Sequence, residues 1–128
     1  MDKISVTCAI IIKDKKVLVV QRSEAMKLPL KWEFPGGKIE SDESEEECIK
    51  REIIEEIGIE IELISRLTPS IHSYSTFQIE LIPFLANYTK GNIKLTEHKK
   101  YLLLEKDELK ELDWAEADIP ILNEFLQR

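Results

Sequence analysis

The sequence predicts an α/β fold, a mixed β-sheet with helices packed on it. Three observations carry that expectation. Apolar, β-rich runs stand on both sides of residues 44–57; that segment repeats its apolar residues at helical spacing; and a second helical pattern closes the chain. Strands flanking a helix with one apolar stripe bury both faces most simply by layering. At 128 residues the expectation is a single domain over 1–128.

Ile4–Ile12 is almost continuously apolar and reads as a strand, and Asp14-Lys15-Lys16 as a polar turn. Val17–Val20 is a second strand. Residues 23–31 are irregular, with Pro29 as a breaker. Trp32-Glu33-Phe34 reads as a short strand, and Pro35-Gly36-Gly37 as a turn. Ser44–Ile57 is the strongest helix: Ser44 with Glu47 three residues on forms a capping box, and Ile49, Ile53 and Ile57 recur at i+4. Gly58 is placed to end it in the left-handed conformation. Ile59–Leu67 and Thr76–Tyr88 are strand-like, with Thr68–Ser75 as the connection between them. Lys90-Gly91-Asn92 is a turn, Tyr101–Leu104 a strand, Asp107–Leu112 a short helical turn, and Asp118–Leu126 a closing helix.

The formal net charge of −7 argues against a nucleic-acid polymer as partner, since that requires a basic surface. A small polyphosphate stays compatible if metal ions bridge the like charges. The apolar runs are strand-sized, so no membrane partner is expected, and the first residues show no signal-peptide pattern. A cytoplasmic location follows as the expectation. Cys8 and Cys48, without CxxC spacing, read as buried reduced thiols. Oligomeric state is left open.

The helix carries an arrangement that stability alone disfavours. Glu52, Glu55 and Glu56 share one face at i, i+3 and i+4, where like charges repel, and they crowd the end at which the helix dipole prefers cations. Three carboxylates on one face suit a hard divalent cation, Mg²⁺ or Mn²⁺, and not zinc. Glu45, Glu46 and Glu47 lie in the first turn, where acids are favoured. Glu97, in the Thr96-Glu97-His98 turn, is a further candidate to hold metal or take a proton from water.

These acids lie within Gly37-x5-Glu43-x7-Arg51-Glu52-Ile53-x-Glu55-Glu56-x-Gly58-Ile59, which fills all nine fixed positions of a 23-residue signature. The segment resembles the Nudix box of the Nudix hydrolases. The resemblance implies an α/β/α sandwich and cleavage of a nucleoside diphosphate linked to a further group. It implies Glu52, Glu55 and Glu56 as metal ligands and catalytic acids, and Gly37 as donor of a backbone carbonyl to metal. Glu43 and Arg51 are implied as a supporting salt bridge, and Gly58 as structural.

The flanks extend the likeness. Trp32-Glu33-Phe34-Pro35-Gly36-Gly37-Lys38 is similar to the approach to the box in MutT-type triphosphate pyrophosphohydrolases. Thr96-Glu97-His98 and the tail Ala115–Leu122 look like bacterial CTP pyrophosphohydrolases of the NudG type. Arg22 and Asn123 match nucleotide-contacting positions of the MutT type, and Lys38 follows the glycine pair where it can face phosphate. Phe34 and Phe77, with Trp32 and Tyr74, are candidates to line the base pocket. Trp114 and Phe125 read as core, and His72 and His98 as loop histidines without partners. The expected reaction is metal-dependent hydrolysis of a nucleoside triphosphate to monophosphate and pyrophosphate, in nucleotide-pool sanitation, on CTP, a modified dCTP or 8-oxo-dGTP. The alternatives are a dinucleoside polyphosphate or ADP-ribose hydrolase, and a silent nucleotide-binding domain.

Overall fold

The computed structural model describes residues 2–128. Its strands are β1 (Asp2–Lys13), β2 (Lys16–Gln21), β3 (Trp32–Glu33), β4 (Gly36–Lys38), β5 (Glu60–Arg66), β6 (Ser70–Ser73), β7 (Phe77–Lys90) and β8 (Lys100–Leu104). Helix α1 spans Glu45–Ile57 and α2 spans Ile119–Leu126, with 3₁₀ turns at Lys106–Glu111 and Glu116–Asp118.

The strands form one mixed sheet with the central order β3-β2-β1-β7-β5. β1 runs parallel to β7, from Asp2 opposite Phe77 to Ile12 opposite Asn87. Its other edge is shared: β2 takes Ile11–Lys13 and β4 takes Val6–Cys8, both antiparallel. β7 is divided likewise between β5 and β6, and β8 lies outside β2.

Alternation along β1 and β2 sends side chains to two cores. Cys8, Ile10, Val17 and Val19 face Trp114, Ile121, Leu122 and Phe125 on the α2 side. Ala9, Ile11, Leu18 and Val20 face Ile49, Ile53 and Ile57 of α1. Burial on both faces explains why these strands read as unbroken apolar runs. Each fully buried isoleucine of α1 contributes about 2 kcal/mol by area. Truncating Ile53 to Ala would cost about 2–5 kcal/mol.

The capping box at α1 is formed in both directions: Glu47 N–H donates to Ser44 Oγ at 3.0 Å, and Ser44 N–H to Glu47 Oε1 at 2.8 Å. Gly58 closes the helix at φ 79°. The last turn holds no basic side chain. Its carbonyls are satisfied by the β7–β8 loop instead: Thr96 Oγ1 donates to Glu55 O and Glu56 O at 2.9 Å each, and Lys94 N–H to Ile57 O at 2.8 Å.

Two segments depart from the sequence expectation. Pro35-Gly36-Gly37 is not simply a turn, because Gly36–Lys38 pairs with β1. A Cβ on Gly36 would overlap the Thr7 carbonyl, so glycine serves close strand approach here. Thr68–Ser75 contains strand β6, whose four residues are too few for alternation to show.

Candidate active site

The solvent-facing side of α1 is organised around Arg51. Its Nη2 donates to Glu43 Oε1 at 2.9 Å and its Nε to Glu43 Oε2, a two-point grip. Its Nη1 donates to Glu52 at 2.8 Å and Glu55 at 3.0 Å, and Nη2 reaches the Lys38 carbonyl at 3.2 Å. The Arg51 bonds, with a backbone N–H from Glu40, hold the Glu43 carboxyl down to about 2, and Glu43 in turn pushes the guanidinium further up. The pair thus lashes the loop after β4 to the helix.

Glu52, Glu55 and Glu56 share a face, but they do not converge as the sequence suggested. Glu52 and Glu55 lean on Arg51, whereas Glu56 turns toward His98. Mutual repulsion and a nearby guanidinium account for the spread. Among the described residues no three acidic, histidine or cysteine side chains close into a metal cluster. The donor set still fits a divalent cation. Glu56 Oε2 is buried without a hydrogen-bond partner. The Glu52 carboxylate lies in the space a Cβ on Gly37 would fill, directly against that glycine. All donors are oxygens, which suits a hard ion. Burial raises the Glu56 carboxyl to about 7; His98 opposes the rise, and Glu52, Glu33 and Glu97 add to it. Glu97 itself is exposed.

A cavity of about 560 Å³ opens beside this face. Gly37, Lys38 and Glu56 line its α1 side, and Phe34, Phe77 and Tyr74 its apolar side. Tyr74 and Phe77 stack at 5.3 Å, and Lys27 lies over the Phe77 ring at 5.2 Å. Arg22 lines the cavity too, but it is already engaged: Nη1 donates to Glu33 Oε1 at 2.9 Å and Nε to the Lys27 carbonyl. Trp32 is buried and is not in the cavity wall. Asn123 lies on the exposed side of α2, away from the cavity, so the expected base contact is not formed there. Trp114 and Phe125 are buried in the core.

Three polar residues at the site escaped the sequence reading. Asp118 is 4% exposed, lines the cavity and accepts the Phe34 N–H at 2.9 Å. Burial first, then the Glu33 charge, pushes its carboxyl well above the usual range. An acid just before a helix reads as a cap, yet Asp118 makes no capping bond to α2. Glu33 links Arg22 to His98, whose Nε2 is 2.8 Å from Glu33 Oε2. His98 is therefore not an unpartnered loop histidine: its side chain is 2% exposed, because Thr96 and Lys99 on either side are tied to α1 and β2 and turn it inward. His72 also has partners, with Nε2 3.0 Å from Glu116 and its ring edge-on to Tyr74.

Residues 1–125 match the NUDIX domain family. The chain belongs to the Nudix family. Among its Nudix relatives is the CTP pyrophosphohydrolase of Escherichia coli K12, 33% identical over 126 residues, covering 98% of this chain and 93% of the relative. The 8-oxo-dGTP diphosphatase of Proteus vulgaris is 37% identical over 87 residues, 68% of this chain and 76% of that protein. The solution structure of MutT from methicillin-resistant Staphylococcus aureus 252, a Nudix hydrolase, superposes with a TM-score of 0.80 at 41% identity, covering 99% of this chain and 98% of that one. Nudix hydrolases generally require a divalent metal and act on small nucleotides. The mixed α/β layering expected from the sequence is the Nudix fold. Among the described residues no helix is long and apolar enough to cross a membrane.

Proposed function

We propose that the chain, as a single domain over residues 1–128, hydrolyses a nucleoside triphosphate between its α and β phosphates, releasing monophosphate and pyrophosphate. The observation that carries the reading is one cavity running from an aromatic and acidic pocket to the box helix. Its two ends suit a base and a polyphosphate. The names of the E. coli and Proteus relatives support the same chemistry and a role in nucleotide-pool sanitation. Two buried free cysteines fit a reducing, cytoplasmic setting.

Glu52, Glu55, Glu56 and the Gly37 carbonyl would hold Mg²⁺ or Mn²⁺, which when bound would neutralise phosphate charge and act as a Lewis acid toward the attacking water. Glu97 and Glu56 are the carboxylates available to accept the water proton. The oxygen of water bonds to phosphorus, the bridging oxygen leaves with the departing phosphate group, and the proton passes to the carboxylate and then to solvent. Arg51 and Glu43 hold the loop in place, and Lys38 brings a cation to the phosphate end. Arg22 acts through Glu33 and the Lys27 carbonyl, shaping the pocket.

Phe34 and Phe77 offer ring faces to the base, which tolerate many bases, so edge hydrogen bonds must set preference. Burial pushes the Asp118 carboxyl up, toward its protonated form, and in that form a carboxyl offers one donor beside one acceptor. Cytosine presents the complementary edge, an amino donor beside a ring-nitrogen acceptor. CTP or a modified dCTP is therefore the first substrate, with 8-oxo-dGTP the second, on the strength of the Proteus relative. A nucleotide panel assayed for pyrophosphate, run in oxygen-18 water to locate the label, tests both bond and base. Release of orthophosphate alone, or preference for ADP-ribose over every triphosphate, overturns the reading.

A further inference from the structure

His98 stands between the two ends of the cavity. One ring nitrogen, Nε2, is bonded to Glu33 at 2.8 Å, and Glu33 is bonded in turn to Arg22 at 2.9 Å. The other, Nδ1, lies 3.6 Å from Glu56 Oε2, too long for a direct hydrogen bond. Both of those atoms are buried, and neither has another partner. An imidazole 2% exposed, one side bonded and the other set against an unpartnered carboxylate oxygen, is costly to keep as packing alone, because buried polar atoms normally pair. The ring is also held from outside. Thr96 is bonded to the carbonyls of Glu55 and Glu56, and the Lys99 N–H donates to Gln21 O at 2.9 Å, so the backbone on each side is pinned to a different element.

We propose that His98 is a positioning residue joining the nucleoside end of the cavity, Arg22 and Glu33, to Glu56 of the box helix. Its Nε2 side fixes the Glu33 carboxylate in the cavity wall. Its Nδ1 side is a rigid wall against Glu56 Oε2, 3.6 Å away, which limits how far that carboxylate can swing at the cavity wall both residues line. The two carboxylates, 23 positions apart in the chain, are thereby registered to each other through one ring. The inference rests on the pyrophosphohydrolase reading for which end binds which part of the substrate.

The two nitrogens are separable by substitution. In His98→Gln the amide nitrogen sits where Nε2 does, so the Glu33 bond is kept and the wall against Glu56 is lost. In His98→Asn the amide reaches only the Nδ1 position, so Glu33 is released. A hydrogen bond to a charged group is worth about tenfold or more in an equilibrium constant, which sets the expected size on the Glu33 side. His98→Gln is expected to keep KM for the preferred triphosphate within about twofold, while kcat falls and Mn²⁺ binding, followed by electron paramagnetic resonance without nucleotide, weakens. His98→Asn is expected to raise KM about tenfold with a smaller change in Mn²⁺ affinity. Melting curves in chelator confirm that each variant is folded. If the two variants lose KM, kcat and Mn²⁺ affinity in the same proportions, or if both match the wild type, the proposal is overturned. The Mn²⁺ arm needs no turnover. It decides the role toward Glu56 even if the wild type cleaves no triphosphate, a result that overturns the reading of the reaction instead.

Discussion

Glu56→Gln should trade activity for stability, with the gain confined to one side of the pH scale. The Glu56 carboxyl rises from 4.5 to about 7 in the folded chain, chiefly through burial. A folded-state acid with a raised pKa holds its proton more tightly than the unfolded chain does. Below about pH 4.5 both states are protonated, and the residue costs nothing. Between 4.5 and 7 the cost grows as pH rises, and above 7 it is fully present. At about 1.4 kcal/mol per tenfold, the whole shift is worth roughly 3 kcal/mol. The carboxylate is 25% exposed, so solvent screening brings this to about 1–2 kcal/mol. Glutamine keeps the shape and removes the charge. In chelator at about pH 8 the variant should therefore melt roughly 3–8 °C higher than the wild type, and at about pH 4.5 the two should nearly coincide. Hydrolysis by the variant should fall by orders of magnitude with Mg²⁺ present, since the carboxylate is the one whose buried oxygen has no other use. Paired melts at the two pH values, with a pyrophosphate assay, check both halves. A variant no more stable at pH 8 than the wild type, or equally shifted at both pH values, refutes the electrostatic reasoning. Full activity refutes the role of Glu56.

Activity should vanish in excess chelator and return with Mg²⁺ or Mn²⁺ but not with zinc, because every candidate donor is an oxygen; steady-state pyrophosphate release reads this directly. The two box glycines should separate: Gly36→Ala overlaps the Thr7 backbone and should cost about 1–3 kcal/mol of stability by thermal melting. Gly37→Ala overlaps the far end of the Glu52 side chain, not backbone, and should lower hydrolysis with a smaller change in melting temperature. Asp118→Asn keeps an acceptor for the Phe34 N–H and puts an amide N–H where a protonated carboxyl has its O–H, so fold and base preference should both persist, whereas Asp118→Leu removes donor and acceptor and should shift the kcat/KM ratio for cytosine against 8-oxoguanine nucleotides about tenfold. An unchanged ratio in Asp118→Leu removes Asp118 from the pocket.

The parts of the site that were legible in sequence are those whose partners lie within a few turns of one another. Ser44 and Glu47 are three residues apart and the Ile49, Ile53 and Ile57 stripe repeats along a single helix, whereas the Glu43–Arg51 pair is legible only through the resemblance to the Nudix box. Helix geometry converts such spacings into faces without knowledge of the rest of the chain. The fold class followed from the same local periodicity. The segments that were misread each depended on something non-local: Gly36–Lys38 is a strand because β1 lies beside it, and Ser70–Ser73 because β7 does. Their own sequences, a glycine pair and a four-residue stretch with two serines, carry turn chemistry that the sheet overrides.

The base end of the cavity was illegible for a stronger reason. Phe34 N–H meets Asp118 across 84 residues, and Glu33 meets His98 across 65. Nothing in the spacing of an acid before Ile-Pro, or of a histidine after Thr-Glu, reports which strand will be laid against it. What the structure adds is burial. Arg22, at a strand end, reads as free for phosphate but is held by Glu33 and the Lys27 carbonyl, and Asn123 reads as placed for a base but faces solvent. Asp118, Glu33 and His98 then become the groups that must earn their place, since each is ionisable, largely out of water and directed at the same cavity region. A box that holds phosphate can be shared by many chains. On the proposed reading the discrimination between bases falls to these buried side chains, and they are legible only once the sheet has brought residues 33, 98 and 118 together.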